Sequence, residues 1–297
     1  MTLIVTIASR KSIWLLADRR LSYADGTWRD DAIKLTRIST PDGTGLIGYA
    51  GLGETIKGQQ PSDWIVRVLR GRNFPFEKSI EQLAAATREH FKPHLSRLRW
   101  AGMPQHNFLI AAFVNGGART YTIDLHGKPD HSGYWFRVAR HVRKYDDVGN
   151  LRNPLFYVGG SGSAFLIGPG RNGWSRHLRR LIRALEQGRI KPESVAVNLA
   201  RLNLGVHRQT ATVGKQCIVA WVLADGTAAH MLYDGDVAQG APFLPTISRG
   251  TDLTAFLKLL KAHTFTPEGH LREDGDGAQR AAEEFNQLPD TPDENLE

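Results

Sequence analysis

Apolar positions along this chain switch between runs, alternation and a helical period, and the order of those switches predicts its layers. Leu3-Ile4-Val5-Thr6-Ile7-Ala8 and Ile13-Trp14-Leu15-Leu16-Ala17 are near-continuous apolar runs around a polar Ser9-Arg10-Lys11-Ser12 turn. That pattern predicts a hairpin of two strands buried on both faces. Leu21 to Asp31 is polar and reads as a connecting loop, and Ile33 to Ile38 alternates as a half-buried strand. A turn at Pro41-Asp42-Gly43 leads into an apolar, glycine-rich strand end over Gly45 to Gly51. Two helices follow. One runs from Trp64 to Leu69, capped by Ser62-Asp63 and stopped at Gly71; the other starts at Ser79, where Gln82 completes a capping box. Phe108 to Phe113 and Arg119 to Leu125 form a hairpin around Asn115-Gly116-Gly117. Gly127 to Asn153 reads as a long irregular loop containing Trp135-Phe136, and Leu155 to Val158 as a strand entering Gly160-Ser161-Gly162-Ser163. Helices are expected over Trp174 to Leu185 and Pro192 to Leu204, with Gly168-Pro169-Gly170 and Gly173 interrupting the chain before the first. A second hairpin, Gln216 to Leu223 and Thr227 to Leu232, turns at Asp225-Gly226, and Thr251 to His263 is an amphipathic helix. Strands, two helices, strands, two helices, strands is not the strict alternation of a doubly wound sheet. It suits an α+β class with two antiparallel sheets between helix pairs.

Composition narrows the function classes. With 297 residues and 41% hydrophobic content the chain can fill one large core or two smaller ones. It has no apolar run of about 18 residues, so no membrane helix is expected, and its start reads as a core hairpin rather than a signal peptide. Cys217 is the only cysteine, which excludes a disulfide framework within the chain and fits a reducing cytoplasm. The eleven histidines form no ligand cluster, so neither a metal nor another cofactor is expected. Net charge is +8, but residues 264–297 hold ten acids against two arginines and leave +16 on the rest. This acidic segment, poor in aliphatics and holding three prolines, is expected to be a disordered tail after a domain over 2–263. Arg176, Arg179, Arg180 and Arg183 lie on one face of their helix, which reads first as a solvated face and second as a contact for a polyanion or another subunit. A basic body suits polyanions, yet no nucleic-acid motif accompanies the charge, so nucleic acid is not expected as the main partner.

Position two carries the chemistry. Removal of Met1 would make Thr2 the N-terminus at the head of a core strand. A threonine hydroxyl beside its own α-amine is an activated nucleophile, because an amine with a pKa of about 7.7–8.0 is partly free base near neutrality. With Thr2 as the first landmark, Asp18, Arg20, Lys34 and Gly48 follow in order, and Gly160-Ser161-Gly162-Ser163 lies further on. This set resembles proteasome β-subunits and the bacterial HslV subunit, members of the N-terminal-nucleophile (Ntn) hydrolases, over roughly residues 2 to 230.

The resemblance implies a four-layer αββα fold and a threonine-type endopeptidase. It implies Thr2 as nucleophile, Lys34 as the cation beside it, Asp18 as the acid that orients Lys34, and Arg20 as a support. The Gly48 N–H would be the oxyanion donor, and Ser161 would sit near the amine. By the same register Leu46 and Ala50 would line the pocket before the scissile bond, and Leu21 and Ser22 would flank the substrate backbone. The family's second Asp falls on Gln209 and its following Ser on Thr212. Gln209 can hydrogen-bond but supplies no charge. The resemblance further implies a peptide or unfolded-protein substrate and a homo-oligomer, a ring or related assembly; any ATPase partner is not identified. Two other readings stand beside it: an Ntn amidohydrolase of small amides, and a catalytically silent proteasome-like scaffold. Taken singly, Asp18 and Lys34 also read as a structural ion pair and the glycine-serine run as a loop.

Overall fold

A computed structural model of the chain describes residues 2–22, 26–51, 60–90, 107–127, 134–141, 153–167, 173–264 and 275–288. Its strands begin with the predicted hairpin, β1 (Ile4–Ala8) and β2 (Ser12–Asp18), and a two-residue ribbon, β3 (Leu21–Ser22) with β4 (Trp28–Arg29). Then come β5 (Leu35–Thr40), β6 (Gly43–Ala50), α1 (Pro61–Leu69) and α2 (Phe76–His90). The middle of the chain supplies β7 (Asn107–Val114), β8 (Gly117–Gly127), β9 (Tyr134–His141), β10 (Leu155–Gly159) and a 3-10 turn (Ser161–Phe165). Next are α3 (Gly173–Glu186), α4 (Pro192–His207), β11 (Gln216–Leu223), β12 (Ala228–Asp234) and β13 (Val237–Gly240). The described chain closes with β14 (Thr246–Ser248), β15 (Thr251–Asp252), α5 (Leu253–Thr264) and α6 (Gly277–Asn286).

The strands form two large sheets, β10-β1-β2-β11-β12-β13 and β15-β14-β5-β6-β7-β8-β9. Pairing is antiparallel except where β14 runs parallel to β5. Alternation along the first hairpin explains its continuous hydrophobicity. Leu3, Val5, Ile7, Trp14 and Leu16 pack on Leu178, Ile182, Val195 and Leu199 of α3 and α4. Ile4, Ala8, Ile13, Leu15 and Ala17 point the other way, onto Leu35, Leu46, Leu109 and Ala111 of the second sheet. A third cluster seats α1 and α2 on that sheet's outer face through Trp64, Ile65, Phe76, Leu83, Phe108 and Ile110. The order of layers is therefore helix, sheet, sheet, helix, the expected αββα sandwich. Both hairpin strands are interior to their sheet and covered on both faces, so the described chain is core from Thr2 onward.

Some local expectations change. The 21–31 connection carries the β3–β4 ribbon rather than plain loop. Helix α2 starts at Phe76, three residues before the predicted capping box, because Asp42 from the β5–β6 turn reaches across and its Oδ1 accepts the Phe76 N–H at 2.7 Å. The region read as irregular from Gly127 to Asn153 contains β9, paired along β8 from Thr120↔His141 to Gly127↔Tyr134; its remaining loop residues, like Gly168-Pro169-Gly170, lie outside the described residues. Strands β13, β14 and β15 were not predicted. The tail expected to be disordered contains α6, whose Phe285 packs edge-on against Phe256 of α5 at 5.5 Å and whose Glu284 carboxylate accepts from His263 at 2.7 Å.

Helix α5 is capped by Asp252, whose Oδ1 accepts the Thr254 and Ala255 N–H groups at 3.0 Å while Oδ2 meets Arg70 at 2.5 Å. Asp252→Ala is expected to cost about 1–2 kcal/mol, the usual loss for an N-cap. Urea unfolding monitored by circular dichroism measures it.

Candidate active site

The apolar run of β2 ends on a carboxylate. Asp18 is fully buried, and its two oxygens accept four hydrogen bonds. Oδ1 accepts Leu3 N at 2.9 Å and Lys34 Nζ at 3.1 Å; Oδ2 accepts Arg20 N at 3.0 Å and Gly214 N at 2.9 Å. These four donors take the place of the water that the buried carboxylate lacks. Lys34, just before β5, is also buried, and its ammonium has three donors for three acceptors. It donates to Thr2 Oγ1 at 2.7 Å, to Asp18 Oδ1 and to the Arg20 carbonyl at 2.5 Å. Burial pushes the Lys34 amine below the usual lysine value, and Asp18 offsets only part of that fall. Thr2, Asp18, Arg20 and Lys34, spread over 33 residues of sequence, thus meet at one point.

Thr2 is itself buried, with 4% of its surface exposed. Its carbonyl is clasped by the glycine-serine run. Gly162 N donates to Thr2 O at 3.1 Å, and Gly160 adopts φ +79°, ψ 175° directly beneath it. A Cβ on Gly160 would lie 2.0 Å from Thr2 O, so the approach requires glycine. Ser161, between these two, lies with its Oγ 3.5 Å from Thr212 Oγ1, the outer edge of hydrogen-bond range. Thr212 in turn bonds Thr210 Oγ1 at 2.9 Å.

The other expected residues are placed differently. Gln209 turns back along α4, its Nε2 on the Gly205 carbonyl at 3.1 Å, and is exposed; it takes no part in the cluster. Gly48 lies between Leu35 and Leu109 within the second sheet. Tyr49 N donates to Lys34 O at 3.1 Å, so the antiparallel alternation turns the Gly48 N–H away from β5 and toward β7. Glycine is needed there for packing, since a Cβ would meet Leu15 Cδ2 at 2.8 Å and Ile4 Cγ2 at 3.1 Å across the sheets. Leu46 and Ala50 belong to the inter-sheet core, each 1% exposed, and Leu21 is buried, whereas Ser22 is exposed.

Sequence reasoning missed three contributors. Asp30 forms a two-point pair with Arg20, Nε to Oδ1 at 2.7 Å and Nη2 to Oδ2 at 2.6 Å. The Gly214 N–H completes the Asp18 shell, and Thr210 extends the hydroxyl chain. An acid four residues before Lys34 was the available signal for Asp30; Thr210 and Gly214 sit in a turn without periodicity. Cys217 stands opposite Asp18 across β2 and β11, where burial and that carboxylate push its thiol far up, keeping it protonated and unreactive. Among the described residues no group of His, Cys, Asp or Glu is arranged to hold a metal, and no helix is long and apolar enough to cross a membrane.

No protein-family model matches the chain, and no curated protein matches it. Among solved structures it is similar to a Gly-1 mutant of Anbu from Hyphomicrobium sp. strain MC1, with 14% identity and a TM-score of 0.43 over 77% of this chain and 86% of that one. It is also similar to Anbu (ancestral beta-subunit) from Yersinia bercovieri, with 13% identity and a TM-score of 0.42 over 78% and 88% of the two chains.

Proposed function

We propose that this chain is a proteasome-like Ntn hydrolase that cleaves peptide bonds with Thr2 once Met1 is removed. The observation that carries the reading is the buried contact of Lys34 Nζ with Thr2 Oγ1 at 2.7 Å, backed by Asp18. An ammonium at that distance favours the deprotonated oxygen and leaves the hydroxyl proton free to move to the α-amine. The Thr2 Oγ–carbon bond forms, the amide C–N bond breaks, and the amine passes the proton to the departing nitrogen. Water then attacks the ester, releases the carboxylic acid and returns a proton to Oγ. Asp18 and the Arg20 carbonyl orient the Lys34 amine and favour its ammonium against the cost of burial, and Ser161 with Thr212 and Thr210 offers hydroxyls at the edge of the site. The peptide substrate, the ring-like homo-oligomer, any ATPase partner and a cytoplasmic setting belong to this reading and are carried by the resemblance of its motifs alone.

A second reading, the catalytically silent subunit, draws on one observation: the ladder turns the Gly48 N–H toward β7, which engages in strand pairing the donor that the first reading assigns to the oxyanion. An intact-mass measurement before and after a peptide epoxyketone separates the two. The hydrolase reading expects loss of Met1 and one adduct mapped to Thr2. Met1 removed with no adduct would favour the silent subunit or a small-amide hydrolase, and retained Met1 in the assembled protein would sink the peptidase.

A further inference from the structure

Arg20 contributes to the cluster twice. Its backbone holds the charged pair, with the carbonyl on Lys34 Nζ at 2.5 Å and the N–H on Asp18 Oδ2 at 3.0 Å. Its side chain is fixed elsewhere, on the two oxygens of Asp30 and on the Ala211 carbonyl at 2.5 Å. The Arg20 side chain is 8% exposed, and the Trp28 ring covers its guanidinium at 5.0 Å. A guanidinium forked onto one carboxylate has a single orientation, unlike a one-point contact. Gly214 packs against both partners: a Cβ there would be 3.0 Å from Arg20 Cβ and 3.1 Å from Asp30 Oδ1.

Asp30 follows Arg20 by ten residues and precedes Lys34 by four. The fork therefore closes the loop between the segment bearing Asp18 and the one bearing Lys34, and fixes the peptide whose carbonyl holds the ammonium. It also places a negative charge on a guanidinium that would otherwise oppose Lys34. The charged groups acting on Lys34 from the surrounding elements are Asp18 and Asp30, which favour its ammonium, and Arg20, which opposes it. A free Thr2 amine would add a fourth.

We propose that Asp30 is a positioning residue: through the Arg20 fork it fixes Lys34 against Thr2 Oγ and offsets the guanidinium charge beside it. The kinetic side of this rests on the hydrolase reading; the geometric side does not. The test uses the full chain with lysine labelled at Cε, the Lys34 signal being assigned by its loss in Lys34→Arg. In Asp30→Asn, folded by circular dichroism, the Lys34 titration midpoint is expected to move down, and labelling of Thr2 by a peptide epoxyketone to slow on the order of ten- to a hundred-fold. In the neutral pair Arg20→Gln/Asp30→Asn the midpoint is expected to return toward the wild-type value while labelling stays slow. A purely structural ion pair would move neither midpoint. An unchanged Lys34 midpoint in folded Asp30→Asn overturns the proposal. Should that variant fail to fold, the neutral pair decides, because wild-type labelling there overturns the proposal equally. If the unsubstituted protein takes no label while the Asp30→Asn midpoint falls, the hydrolase reading fails and the positioning role stands.

Discussion

Asp18→Ala is expected to destabilise the protein by about 3–5 kcal/mol, the cost of removing one partner from a buried ion pair. The substitution leaves the Lys34 ammonium without its anion at a position 3% exposed. It also strips the acceptor from three backbone N–H groups, those of Leu3, Arg20 and Gly214. Each unsatisfied buried donor costs roughly 1–3 kcal/mol, but the terms share one pocket and do not add, because Lys34 sheds part of its loss by giving up its proton. Asp18→Asn is no milder remedy: its amide supplies one acceptor and turns an NH₂ toward donors. Urea unfolding measures the loss as a lower midpoint at unchanged slope. Replacing both charges, as in Asp18→Leu/Lys34→Met, is expected to recover part of the loss, since no unpaired ion then remains. A loss below about 1 kcal/mol for Asp18→Ala, the range of solvent-exposed pairs, would mean that water reaches Lys34. The dry site on which the proposed chemistry depends would then be wrong.

Gly160→Ala is expected to disrupt both stability and labelling. With φ +79° and ψ 175°, Gly160 occupies a backbone region essentially confined to glycine, which costs another residue on the order of 1–3 kcal/mol. Its added Cβ would also sit 2.0 Å from Thr2 O and 2.7 Å from Thr2 C, both backbone atoms that no rotamer change can move aside. Relief requires the head of β1 to shift by about 1 Å, and a displacement of that size costs roughly a hundredfold in rate where geometry is catalytic. Gly188→Ala is the control, for Gly188 has φ +70° and open space around the new Cβ. Its loss gives the cost of replacing an ordinary left-handed glycine at a helix end without any collision, and the excess at Gly160 reports the glycine-only backbone region together with the collision with Thr2. Equal losses at the two positions, with labelling intact, would show that the glycine-serine run does not hold the N-terminal strand.

The layered fold was legible because both kinds of burial leave distinct traces. Runs such as Ile13-Trp14-Leu15-Leu16 mark strands covered on both faces, and the Leu178 and Ile182 spacing marks a helix covered on one. The short strands β13 to β15 left no trace: β13 is exposed along its length, and two or three residues are too few to show a period. The start of α2 escaped for another reason, its cap being supplied by Asp42 from a turn 34 residues away. At the site, the residues that touch Thr2 and Lys34 through fixed chemistry could be read in order from the chain. What could not be read was how strand alternation turns the Gly48 N–H, or that a loop acid at position 30 reaches back to Arg20. Both depend on register and loop closure, which sequence spacing does not encode.

The depth of β1 in its sheet also has a consequence for timing. The first strand needs β10 on one side, and the carboxylate beside it needs the Gly214 N–H, 196 residues downstream of Asp18. At about 5–20 residues per second of synthesis, roughly 10–40 s separate the emergence of these two ends from a ribosome. During that interval the first strand lacks β10 and Asp18 lacks the Gly214 N–H, and once the sheet closes the strand is core. On the hydrolase reading, the order of translation therefore schedules when Met1 can be removed from Thr2.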